Sequence, residues 1–372
     1  VKIPPPPIPF EPAQFVTERP WGREYRAEFP SARPSGVEEN DRVPLRLFLP
    51  REGNRFPVVL ILHYLGAGDL RVERMLAEEL AKRGIASAAL ALPYHLERTP
   101  PGRVSGELAI LPDVPALRAN LLQSISDVRR AVDFLQQRPE FAGQPVGLAG
   151  VSLGALVSSL AYGVDDRLER AAFVLGGADL AQVLWRSSRV VAQRNVLRSQ
   201  GFTEEKLREE MADVEPLTYL TPKGNTLVVQ AKHDTVIPTA SSELLIRALG
   251  DPAVIRLDAG HYGGVFVQRR ILREVAAFLA STFTGDAYTP PSRILAPTVR
   301  IGVILTPSSG PDLGVGIDLF RLDPQGRSYG SVFATPRGLQ GVIGTKLDRN
   351  LGIGVTIGSR GFSPGLFWST VL

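Results

Sequence analysis

Residues 145–154 read Pro145-Val146-Gly147-Leu148-Ala149-Gly150-Val151-Ser152-Leu153-Gly154, and this stretch decides the fold. Pro145–Val151 is a short apolar run suited to a buried strand. Leu153–Tyr162 continues as a helix. A serine where strand meets helix, with glycine two before and two after, is the pattern of a nucleophile elbow. The tight turn strains the serine, and the small neighbours let backbone approach closely. The hydroxyl then projects over the sheet edge, with a helix N-terminus beneath developing negative charge. The bland reading is an ordinary turn.

On either side the chain alternates between strands and helices. Phe56–His63 and Ile85–Leu92 are apolar runs too short for buried helices, and Arg71–Lys82 between them has helical periodicity. Ala116–Leu135 is a long amphipathic helix. Ala171–Leu175, Thr226–Ala231 and Val254–Leu257 read as further strands, and Thr239–Leu249 and Gln268–Phe283 as helices. This order predicts an α/β fold with a mainly parallel sheet and helices on both faces. Ligands gather at the carboxyl ends of such strands. Residues 179–222 interrupt the alternation with the helical pieces Gln182–Arg198 and Glu204–Ala212, and read as a small helical cap. Its Leu184, Trp185, Val190 and Val191 suit either an acyl pocket or plain packing of the cap.

Serine is a poor nucleophile until a base takes its proton. His261, in Asp258-Ala259-Gly260-His261-Tyr262, follows the last apolar strand and is the candidate base. His63 is the main competitor, although it ends an early strand, and His95 and His233 lack an equivalent context. The base needs a carboxylate to fix its tautomer. Asp234, directly after the strand Thr226–Ala231, is the candidate. Asp179 is the reserve acid, and Asp258 reads as a turn residue. The chain order Ser152, Asp234, His261 is the serine, acid, histidine order of one known architecture. A tetrahedral oxyanion also needs backbone donors. Leu153 N–H is one, and Tyr64 or Leu65, in His63-Tyr64-Leu65-Gly66-Ala67-Gly68, is the other.

Residues 40–284 resemble the α/β-hydrolase superfamily, through Gly150–Gly154, His63–Gly68, Lys232–Pro238 and Ala259–Tyr262. Within it the chain is similar to bacterial esterases and dienelactone-hydrolase-like members. Dienelactone hydrolases proper use cysteine where Ser152 stands, and the usual His-Gly after the third strand is His63-Tyr64 here. The resemblance implies hydrolysis of carboxylic esters through an acyl-enzyme, with no metal or organic cofactor. Lipase, thioesterase and peptidase chemistry are alternatives within the fold. A binding or attachment protein with a vestigial hydrolase domain is the alternative outside enzymes.

Composition narrows the classes further. The absence of cysteine excludes disulfides, thiolate nucleophiles and zinc–cysteine sites, and leaves the compartment open. Four histidines do not make a histidine-rich metal site. A net charge of +4 over 372 residues, with no dense basic block, gives no nucleic-acid arm. No apolar run is long enough for a transmembrane helix. The expected partner is a small-molecule or lipid-like ester.

Residues 1–19 begin with a proline run and read as an extended arm, and residues 20–284 as the α/β domain. Residues 285–372 change character: they hold 15 of the 36 glycines and carry short alternating segments, as a β-meander does. The segments are Thr298–Leu305, Leu313–Arg321, Ser328–Thr335, Leu339–Lys346, Leu351–Ile357 and Leu366–Val371. Their turns are Ser308-Ser309-Gly310, Pro324-Gln325-Gly326 and Asp348-Arg349-Asn350. Alternation leaves one face in need of cover. The expectation is an antiparallel β-domain covered by the α/β domain or by a second copy of the chain, as a homo-oligomer. Lipid ranks last, because a membrane barrel needs at least about eight strands of about 9–11 residues. Glycine at many positions argues against a thick independent core. Removing residues 288–372 is expected to leave the chemistry intact.

Overall fold

The computed structural model describes residues 5–307, 310–321, 327–348, 350–359 and 361–371. The turn residues Ser308, Ser309, Pro324, Gln325, Gly326 and Arg349, and residues 1–4 of the proline-rich arm, lie outside the described residues.

The chain opens with β1 (Gln14–Arg19), β2 (Gly22–Pro30), α1 (Glu38–Asp41), β3 (Arg42–Pro50), β4 (Val58–Leu62), α2 (Arg71–Ala81) and β5 (Ala86–Leu90). There follow α3 (Val114–Gln136), β6 (Val146–Val151), α4 (Leu153–Val164) and β7 (Leu168–Val174). The cap helices α5 (Leu180–Arg186), α6 (Val191–Ser199) and α7 (Glu204–Glu210) precede β8 (Thr226–Ala231), α8 (Thr239–Leu249), β9 (Ala253–Leu257) and α9 (Gln268–Thr284). After β10 (Arg293–Ile294) come β11 (Thr298–Thr306), β12 (Gly310–Arg321), β13 (Ser328–Thr335), β14 (Gly338–Lys346), β15 (Leu351–Gly358) and β16 (Gly361–Val371).

Contacts group these elements into two units. The first takes residues up to Gln230, Ile237–Ile255 and Arg269–Ser292; the second takes Ala231–Val236, Arg256–Gln268 and residues from Arg293 onward. A boundary drawn at residue 285 therefore separates two short segments, around Asp234 and His261, from the tail with which they pack.

In the first unit the strands lie in the order β1-β2-β3-β5-β4-β6-β7-β8-β9. The pairs β4–β5, β4–β6, β6–β7 and β7–β8 are parallel, and β1–β2, β2–β3 and β3–β5 are antiparallel. The residues of β4, β5 and β8 are all buried, as strands covered on both faces must be. Helix α3 starts at Asp113, whose carboxylate accepts the Ala116 N–H at 2.7 Å, and it buries Leu117, Ile125, Val128 and Val132. Arg98 and Asp127 form a fully buried ion pair at 2.9 Å, with Ser31, Ala32 and Asn40 completing their hydrogen bonds. The arm departs from its expected form at Gln14, where an alternating, proline-free stretch pairs with β2. Before it, Phe10 packs edge-on against Phe29 and Phe134.

In the second unit β10 lies parallel to the end of β9, and β11 to β16 close an antiparallel barrel. The inner residues include Ile304, Tyr329, Phe333, Val342 and Phe367, which form its core. They share the interior with a buried ion pair, Arg300 Nε to Asp318 Oδ1 at 2.7 Å, to which Ser331 Oγ donates at 2.5 Å. Glycine makes this possible in so narrow a barrel. A Cβ on Gly316 would stand 2.8 Å from the Phe333 ring, and one on Gly365 would stand 2.9 Å from Phe367. The glycines that argued against a core instead leave room for the aromatics that build it. Alternate residues on the same strands point outward and are apolar: Leu313, Val315 and Leu319 on β12, and Ile353, Val355 and Ile357 on β15, are all exposed.

Candidate active site

Ser152 sits at φ 53° and ψ −113° between β6 and α4, a left-handed backbone that serine rarely adopts. Its N–H donates to the Val174 carbonyl at 2.8 Å, which fixes the turn against β7. The flanking glycines are explained by space. A Cβ on Gly150 would come within 2.3 Å of the Gly154 carbonyl oxygen, and one on Gly154 within 2.2 Å of the Leu62 carbonyl oxygen. The elbow thus packs directly on the last residue of β4, where the loop His63–Gly68 begins. The carbonyl of Ser152 accepts the N–H groups of Ala155 and Leu156, at 2.9 and 3.0 Å, as the first turn of α4 forms.

The loop that carries Tyr64 and Leu65 is braced from several sides. His63 is fully buried; its Nδ1–H donates to the Tyr64 carbonyl and its Nε2 accepts the Leu92 N–H, both at 2.9 Å. Burial, with the nearby His95, pushes its pKa down to about 3. A neutral ring with both nitrogens occupied ties β4 to Leu92, so the main competitor for the base is a structural histidine. Burial likewise lowers His95 to about 4, and its Nδ1 lies 2.8 Å from the Pro93 carbonyl. Further along the loop, Ser105 Oγ donates to the Ala67 carbonyl at 2.6 Å.

One buried carboxyl was not singled out from the sequence. Glu73 lies in the first turn of α2 at 1% exposure, and burial, with Asp69 adding to it, pushes its pKa up to about 7. The phenol of Tyr64 is raised by its own burial and by the charges of Glu73 and Asp69. The available signal was position: Glu73 shares the buried face of α2 with Leu76, Ala77 and Leu80.

In the second unit His261 Nδ1–H donates to Asp234 Oδ2 at 2.7 Å. The other oxygen, Oδ1, accepts the Val236 N–H at 2.9 Å. Both side chains are buried, at 8% and 1% exposure. The two segments are cross-linked by backbone: Lys232 N–H to the Leu257 carbonyl at 2.9 Å and His233 N–H to the Ala259 carbonyl at 3.0 Å. They also rest on the tail. Thr235 Oγ1 donates to the Val371 carbonyl of β16 at 3.2 Å, and Gly263 lies so close to Pro297 that a Cβ would come within 2.4 Å of its carbonyl oxygen. Removing residues 288–372 would take away these contacts from the segments that carry Asp234 and His261.

The remaining carboxylates have other work. Asp258 pairs with Arg293 and lies 3.6 Å from His233, in keeping with a turn residue. Asp179 caps α5 through the Gln182 N–H at 3.1 Å and pairs with Arg208 at 2.9 Å. In the cap, Leu184 and Val190 are part of the hydrophobic core, Trp185 stacks under Arg198 at 4.8 Å and Val191 is exposed, which is the packing reading rather than an acyl pocket. Among the described residues no cluster of three or more His, Asp or Glu side chains could hold a metal ion, and no helix is long and apolar enough to cross a membrane.

Comparison with known proteins agrees with the α/β fold. The family described as alpha/beta hydrolase domain containing 18 matches residues 24–174, and the prolyl oligopeptidase family matches residues 118–286. No curated protein matches the chain. Among solved structures, an acetyl xylan esterase from Paenibacillus sp. R4 is similar at TM-score 0.57 and 20% identity, over 73% of this chain and 89% of that one. Acetyl xylan esterase 1 from Thermoanaerobacterium sp. JW/SL YS485 gives 0.56 and 14%, over 71% and 89%. An acylaminoacyl peptidase from Pyrococcus horikoshii gives 0.52 and 15%, over 71% and 42%.

Proposed function

Residues 40–284 belong to the α/β-hydrolase superfamily, and from that premise we propose that the protein hydrolyses carboxylic esters through a serine acyl-enzyme. Ser152 Oγ attacks the carbonyl carbon while His261 takes its proton. Asp234 holds the imidazole in the tautomer that leaves Nε2 free to accept, and stabilises the imidazolium that forms. The N–H of Leu153, with that of Tyr64 or Leu65, receives the oxyanion. His261 then returns the proton to the leaving alcohol, and water, activated by the same histidine, releases the acid.

The observation that carries the reading is the 2.7 Å bond between His261 and Asp234, made while Asp179 is engaged elsewhere. The strained serine turn supports it from the first unit. The esterases among the structural neighbours favour ester over amide, since esters need less help with the leaving group. The prolyl oligopeptidase match supports amide cleavage as a second reading.

Labelling by a fluorophosphonate and turnover of p-nitrophenyl acetate test the assignment. Ser152→Ala and His261→Ala should abolish labelling and lower turnover by about 10³–10⁶-fold, because the members act as a unit. Asp234→Asn should be severe and Asp179→Asn mild. Retained labelling in Ser152→Ala, or damage from Asp179→Asn alone, sinks the assignment. An acylaminoacyl p-nitroanilide turned over faster than the matching ester would favour the peptidase reading.

A further inference from the structure

The barrel of β11 to β16 has a small apolar core, as the first unit does, but it also carries apolar residues on its outside. Its interior holds Arg300, Asp318, Ser331 and Ser369, all buried. Its outer wall is apolar on every side. Each strand contributes an exposed apolar residue: Leu305, Leu313, Ala334, Leu339, Ile353 and Phe362 in order around the closed sheet. Among the described outward positions of these strands none is charged. Charge appears inside the barrel or at its ends, as with Arg327, Arg337, Lys346 and Asp348. An exposed apolar surface of this extent marks an interaction site.

The distribution around the circumference selects the occupant. A second copy of the chain, or any protein partner, meets a barrel along one side, and the rest of the wall would stay in water. A fluid hydrocarbon covers every side at once. Closure also satisfies the backbone: each strand of the barrel is paired with two neighbours, so the wall presents no open sheet edge to an apolar solvent. An apolar, uncharged outside around a closed antiparallel barrel is the arrangement that lipid imposes, and the inside of this one mixes an apolar cluster with the Arg300–Asp318 pair.

We propose that the barrel seats its outer wall in the hydrocarbon of a lipid bilayer. The strand count that ranked lipid last is answered by the interior. Six strands close because glycines such as Gly316 and Gly365 make room for Phe333 and Phe367, so a lumen too narrow for ordinary side chains is still filled. Apolar outward runs of about seven to nine residues, tilted by about 40–45°, give a belt of about 15–20 Å. That is shorter than the roughly 25 Å band of outer-membrane barrels, and local thinning of the bilayer meets such a mismatch. The proposal is independent of the ester chemistry, and its test does not use activity.

The experiment takes the full chain, phosphatidylcholine–phosphatidylglycerol vesicles and vesicles with brominated acyl chains. Trp368 is an outward residue, half exposed, and Trp21 and Trp185 lie in the other unit. The chain should float with the vesicles, resist a salt wash, and show quenching by brominated chains that Trp368→Phe removes. Leu313→Glu with Val355→Glu should cut the floated fraction at least tenfold, with an unchanged circular dichroism spectrum. Should that pair fail to fold, the Trp368 quenching of the unaltered wall still decides. Recovery in the lipid-free fraction overturns the proposal. So does binding that salt reverses without quenching, which would mean headgroup attraction. A lipid-free oligomer that the Leu313/Val355 pair dissociates, with no quenching, would assign the wall to self-association instead.

Discussion

The first unit and the barrel both combine apolar strands with a buried Arg–Asp pair, but they differ in where the apolar side chains of those strands end up. In β4 every side chain is buried, whichever way it points. In the barrel, Leu313 and Val315 face out while Asp318 and Arg300 face in. The pairs themselves are alike: Arg98–Asp127 at 2.9 Å and Arg300–Asp318 at 2.7 Å, each with further hydrogen bonds. What differs is the residue set that surrounds them. A buried ion pair is therefore no mark of which side of a sheet meets solvent; the outward positions decide that.

The largest expected effect is a charge placed in each region. Leu60→Asp puts a carboxylate among fully buried neighbours and should destabilise the first unit by at least about 4–5 kcal/mol, seen as insoluble expression or loss of the urea transition. Val315→Asp in buffer should stay within about 0.5 kcal/mol, because the outward site is half exposed. Equal damage at both sites would erase the contrast.

Next comes the ion pair. Asp318→Ala leaves Arg300 buried without its counter-charge and should destabilise the barrel by about 3–5 kcal/mol. Arg300→Met with Asp318→Leu should recover most of that in a denaturant melt. If the double replacement is no better than the single one, the barrel interior depends on polar groups more deeply than the interior of the first unit does.

The smallest effect is a pH slope confined to the first unit. Glu73 has its folded pKa raised from 4.5 to about 7, so between these values the folded chain holds a proton that the unfolded chain has released. Stability from this group falls as pH rises from about 4.5 to about 7. Glu73→Gln should match the parent near pH 4 and exceed it by about 3 kcal/mol at pH 8, because a shift of this size is worth about that much. Thermal melts across that range check it, and a parallel shift at both ends would reject it.

The sequence made the α/β unit legible because its signals are local. The run into Ser152 announces strand, turn and helix within ten residues, and both glycines have steric reasons within reach of that turn. The order of Ser152, Asp234 and His261 was likewise readable, and the structure brings Asp234 and His261 into hydrogen bond. The sense of the barrel was not legible. A period of two says that the faces differ and not which one points inward, and Gly-rich inner positions look like weakness until the ring of Phe333 is found over Gly316. Nor could spacing reveal that His63 is locked by Leu92 and Tyr64, or that Thr235 leans on Val371, since both depend on contacts between distant residues.

Closure of the barrel has one more consequence. An apolar strand at an open edge is a template onto which a further strand can add, and chains bearing one tend to stack into fibrils. Where the first sheet ends, at β1, the strand is short, mostly exposed and carries Glu18 and Arg19, with its register broken between Phe15 and Thr17. The barrel displays far more apolar surface and has no such end: β11 pairs with β16 and the ring returns on itself. Its hydrophobic wall can attract only through side chains, which detergent or lipid displaces. Crowding such a chain should give reversible clusters rather than cross-β aggregates.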